Sequence, residues 1–107
     1  MAWLVLLIAG LFEIAWAIGL AYSDGLSKPV PAVATVLALA ISMLLLAKAT
    51  QTIPIGTAYA VWTGIGAVGT ALLGIVLFDE PATVARLLFV SLIVVGIIGL
   101  HLVSPTH

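Results

Sequence analysis

Trp3-Leu-Val-Leu-Leu-Ile-Ala-Gly10-Leu-Phe-Glu13-Ile-Ala-Trp16-Ala-Ile-Gly-Leu-Ala21 is an almost wholly apolar run with one charge in its middle, Glu13. A bilayer-spanning helix needs about 20 such residues, so the run reads as a span over residues 3–21. No basic residue in it neutralises Glu13. A carboxylate at bilayer depth costs about 2.5–3.5 kcal/mol on insertion scales. A group that costly to bury is read first as part of a path for ions, protons or a cationic substrate.

Three more runs of the same kind follow, at residues 30–49, 55–78 and 82–103. Turn chemistry separates them: Tyr22-Ser-Asp-Gly-Leu-Ser-Lys-Pro29, then Thr50-Gln-Thr-Ile-Pro54, then Asp79-Glu80-Pro81. Pro81 is expected in the first turn of the fourth helix, Lys48 to snorkel to the interface, and the tail, 104–107, to be frayed. Membrane barrels show alternating segments of about 10 residues, so these continuous runs exclude strands. The expected fold is an all-α integral membrane protein, one four-helix transmembrane domain over residues 1–107.

Composition agrees. The chain has 107 residues, 64% hydrophobic and 7% charged, against about 25% charged in a soluble domain. No room remains for a soluble domain. The N-terminus lacks a basic stretch, so the first run is expected to be a retained span rather than a cleaved signal. Net charge is −1 with no basic cluster, which excludes nucleic acid as a partner. There are no cysteines, and two separated histidines, His101 and His107, make no metal set; they read as interfacial or tail residues. No nucleophile–base set or phosphate loop is present, so neither an enzyme nor a cofactor is expected.

Charge leaves orientation weakly specified. Four spans put Lys28 and Arg86 on one side, and Lys48 and the amino terminus on the other. Lys/Arg bias sets orientation, and two against one is nearly a tie. Either copies insert in both directions, or subtler cues fix one direction. Four short helices also make a thin wall, which cannot enclose a water-filled cavity alone, so any transport reading requires two copies.

Residues three and four apart on a helix are neighbours. Gly10, Glu13, Trp16 and Ala17 therefore share a stripe, as do Tyr59, Trp62 and Gly66 in the third span. Gly10 is expected to open space beside the carboxylate, and Trp16 to place an indole one turn above it. Ser42 is the one polar side chain between Thr35 and Lys48. It can donate to the carboxylate or bond its own i−4 carbonyl. Aromatic faces attract cations by about 0.5–2 kcal/mol, so Trp16, Tyr59 and Trp62 suit a cation site around Glu13. The alternatives are a structural, protonated Glu13 and ordinary packing aromatics; Trp3 and Tyr22 fit interfacial belts. Gly64, Gly66, Gly69 and Gly74 permit close helix approach or a hinge at Gly64 and Gly66. Gly96 and Gly99 give the fourth span a small-residue face, read as a subunit–subunit contact.

Gly10-x-x-Glu13-x-x-Trp16-Ala17 and Pro54-Ile-Gly-Thr-Ala-Tyr59-Ala-Val-Trp62-Thr-Gly64-Ile-Gly66 resemble the small multidrug resistance family of bacterial transporters, over essentially the whole chain. Trp16, Ser42 and the Trp62-Thr-Gly-Ile-Gly66 run look like its guanidinium exporter subtype. The resemblance implies an antiparallel, dual-topology homodimer in the bacterial inner membrane that exchanges protons for a small guanidinium-like cation. It implies that Glu13 of both subunits is the shared proton and substrate site, with Tyr59 and Trp62 as binding aromatics and Ser42 and Trp16 as partners of the carboxylate. A broader exporter of quaternary-ammonium or aromatic cations, a non-transporting membrane assembly partner, and half of a heterodimeric exporter are the competing expectations.

Overall fold

The computed structural model describes residues 1–103; the tail expected to fray, 104–107, lies outside the described residues. Four helices follow one another: α1 (Ala2–Tyr22), α2 (Pro29–Ala49), α3 (Ile55–Leu77) and α4 (Val84–Val103). All are long and apolar enough to cross a membrane. At 1.5 Å per residue they span about 30–35 Å, matching a hydrocarbon core about 30 Å thick.

The helix ends explain the boundaries. Ser23 closes α1: its hydroxyl donates to the Leu20 carbonyl (2.8 Å) and accepts the Leu26 N–H (2.9 Å). The N–H groups of Ser27 and Lys28 return to the Ser23 carbonyl. This tight knot drives Asp24, Gly25 and Leu26 to positive φ (50°, 73° and 69°). That conformation is costly for Leu26, whose Cβ crowds the following carbonyl, and the Ser23 bond offsets it. Pro29 then opens α2 at its first position, where a missing N–H costs nothing.

At the other break the expectation for Pro81 is corrected. Pro81 lies outside the helix, and α4 begins at Val84. Thr83 supplies the start, its hydroxyl accepting the Arg86 N–H at 3.1 Å, as an N-cap side chain does for the third helical residue. Before it, Asp79 turns to φ 55°, which brings the Glu80 N–H back to the Gly74 carbonyl (3.2 Å).

The packing is uneven. α1 lies against α2 and α3, and α3 carries α4. The buried core gathers at one end of the molecule, where α1 and α3 begin and α2 ends: Leu6, Ala9, Leu46, Ala49, Ile53, Ala58, Val61 and Trp62. Towards the opposite end the contacts are smaller: Gly19 under Thr35, and Tyr22 against Phe78 at 5.1 Å. No residue of α4 is buried. The described chain measures 42 × 34 × 17 Å, and a helix with side chains is about 10–12 Å across. The chain is a slab about two helices thick.

Candidate functional site

Glu13 sits at the middle of α1, just beyond the packed core, and is partly buried. Its carboxyl lies in a notch on α3: a Cβ on Gly66 would overlap Glu13 Oε2. The acid is thus seated directly on the α3 backbone, where any side chain at position 66 would push it aside. Among the described residues Oε2 is buried without a hydrogen-bond partner, and so is Nε1 of Trp16, one turn along the same helix.

Beside this pair stands a satisfied frame. The Ser42 hydroxyl, fully buried, donates to the Ala9 carbonyl at 2.7 Å and accepts the Trp62 indole N–H at 2.8 Å. One hydroxyl therefore ties α2 to both α1 and α3. Two expectations change. Ser42 spends its proton on Ala9 rather than on the carboxylate, and its acceptor is not its own i−4 carbonyl. The reason is the close α1–α2 packing, which brings the Ala9 carbonyl to Ser42 before any side chain of α1. Trp62 is buried, with 7% of its surface exposed. Tyr59, 56% exposed, leans on it at 5.6 Å between ring centroids. Trp62 is thereby a fixed wall, and Tyr59 an open one.

Gly10 does not open space. A Cβ there would stand 2.6 Å from Ile65 Cγ2, so the room Gly10 leaves is filled by α3. Gly69 similarly receives Ile14. Gly64 faces the other way, towards Ile97 of α4, whose Cδ1 would be 2.9 Å from an added Cβ. The two glycines read as a hinge thus look onto different neighbours. Among the described residues, a Cβ added at Gly96 or Gly99 would meet nothing within 4 Å. His101, in the last turn of α4, makes an edge contact with Trp3 at 4.4 Å.

Several contributors escaped the sequence reading: the Ala9 carbonyl, Ile65, and the place of Thr70 in a stripe with Gly66 and Gly74, two glycines already read as close-approach sites. The stripe has a sequence signal, a spacing of four. The other two depend on which helices meet.

The arrangement combines an acid with a free oxygen, an unpartnered indole N–H, an exposed phenol and a rigid Ser42–Trp62 frame, inside four apolar helices. Sequence comparisons identify the family. The Small Multidrug Resistance protein family matches residues 1–93. A guanidinium exporter of Yersinia pseudotuberculosis serotype I is 61% identical over 104 residues, covering 97% of this chain and 100% of that protein. A guanidinium exporter of Salmonella typhimurium is 58% identical, covering 95% and 97%, and one of Citrobacter freundii is 57% identical over the full length of both. The chain is a multi-pass membrane protein, and it belongs to the small multidrug resistance family.

Proposed function

We propose that the chain exports guanidinium and small guanidinyl cations across the bacterial inner membrane in exchange for protons, as an antiparallel homodimer that pairs two Glu13 carboxylates. It is a transporter, not an enzyme. The observation that carries this reading is the buried Glu13 oxygen without a partner. A buried acceptor left unmade costs about 1–3 kcal/mol, more when charged. That cost is removed by a proton, or by a cation that donates N–H groups.

The two neutralisers compete for one oxygen, and competition is the physical basis of exchange. Two Glu13 carboxylates near each other in a low dielectric repel strongly, so a pair titrates as a unit and favours either protons or one shared cation. If the loaded pair changes its facing and the empty, doubly charged pair does not, inward proton flow drives cation efflux. A guanidinium ion suits the site because its planar N–H pairs meet a carboxylate bidentately. The exposed Tyr59 offers an aromatic face. The names of the relatives point to the same substrate. A slab about two helices thick supports the need for a second copy.

Reconstitution in proteoliposomes tests the substrate. Under an imposed pH gradient, uptake of guanidinium should exceed that of tetraalkylammonium and planar aromatic cations. Preference for the bulkier cations would move the chain to the broader multidrug reading.

A further inference from the structure

A second carboxylate is seated on the same face of α3. Glu13, Ala17 and Ala21 follow one another at four-residue spacing along α1; Gly66, Thr70 and Gly74 do the same along α3. The Glu13 carboxyl lies against Gly66, and the Glu80 carboxyl lies against Gly74, where a Cβ would overlap Oε1. Eight residues of helix put these two seats about 12 Å apart along α3. Between them is a cavity of about 320 Å³, walled by Ala17, Ala21, Ala67, Thr70 and Gly74 among others. Its inner end is one turn from Glu13. Glu80 and Arg86 line its outer end, where the Arg86 Nη2–H donates to Glu80 Oε1 at 2.6 Å.

We propose that this cavity is an outer subsite for guanidinium-type cations, with Glu80 as the recruiting carboxylate. This rests on the reading of guanidinium as substrate. Arg86 ends in the same chemical group, so the chain already displays at Glu80 the contact that a guanidinium ion would make. The contact is one-pronged, with Glu80 exposed at 44% and Arg86 half-buried at 33%. Exposed pairs hold weakly, so an arriving cation can displace Arg86 from the carboxylate. Glu80 itself stays placed, because its N–H is tied to the Gly74 carbonyl. The walls, alanine and glycine together with Ile18 and Phe78, leave room for a small planar ion, and Thr70 lines them part-way to Glu13. The weaker packing at this end of the molecule, away from the Leu6–Trp62 core, is what leaves the cavity there.

Guanidinium exchange is measured in proteoliposomes over a range of guanidinium concentrations and ionic strengths. For Glu80→Gln, KM should rise roughly two- to fivefold, the range of an exposed ion pair, and by more than turnover falls. Wild-type KM should rise with salt, because surface recruitment is screened, and the variant should lose most of that dependence. Ala21→Leu narrows the cavity with both carboxylates intact and should also raise KM; it decides the matter if Glu80→Gln does not fold. Unchanged KM in the folded variants, beside an active wild type, overturns the subsite and leaves the substrate reading standing. No exchange by the wild type overturns the substrate reading as well.

Discussion

The Glu13 carboxyl occupies the space where a side chain at position 66 would begin. Gly66 is therefore a seat for the acid. Gly66→Ala forces the carboxyl aside, and overpacking of this kind costs about 1–3 kcal/mol. The shorter acid of Glu13→Asp withdraws from the same space. The double variant Gly66→Ala/Glu13→Asp should regain guanidinium binding lost in Gly66→Ala, giving a favourable coupling in a double-mutant cycle read by titration of the purified protein. Strict additivity would show that Gly66 acts only through helix bending. Glu13 was legible in the sequence because one charge in an apolar run is conspicuous without any partner. The role of Ser42 was not. Its partners, the Ala9 carbonyl and the Trp62 indole, come from two other helices.

Among the helices, α3 mediates between two faces. Gly66 and Gly69 accept Glu13 and Ile14 from α1, while Gly64 accepts Ile97 from α4. A single hinge label for Gly64 and Gly66 merges two different contacts. Gly64→Ala should loosen α4 from α3 by about 1–3 kcal/mol and leave guanidinium binding near wild type, since it touches nothing at the acid. Thermal unfolding in detergent and a binding titration would check this, with Ile97→Ala expected to restore part of the lost stability. Binding lost in proportion to stability would tie α4 to the site. The four spans were readable from run length, because in a membrane apolar length alone demands a helix. The fourth start was not, since Thr83 outcompeted Pro81 through one side-chain bond to the Arg86 N–H.

The molecule is a thin slab with its core at one end, an acid at mid-depth, and one helix without buried residues, α4, where a Cβ at Gly96 or Gly99 would meet nothing among the described residues. That form suits a partner surface, and the near tie of cationic side chains suits insertion in both directions. A C-terminal tag should be accessible from both sides of the membrane; labelling from one side only would end the dual-topology proposal. The central claim is that protons and guanidinium compete for Glu13. It is tested most directly by guanidinium flux in proteoliposomes under an imposed pH gradient, wild type against Glu13→Gln. Competition at Glu13 predicts pH-driven exchange by the wild type and none by the near-isosteric variant. Proton-driven guanidinium exchange that survives in Glu13→Gln would contradict it.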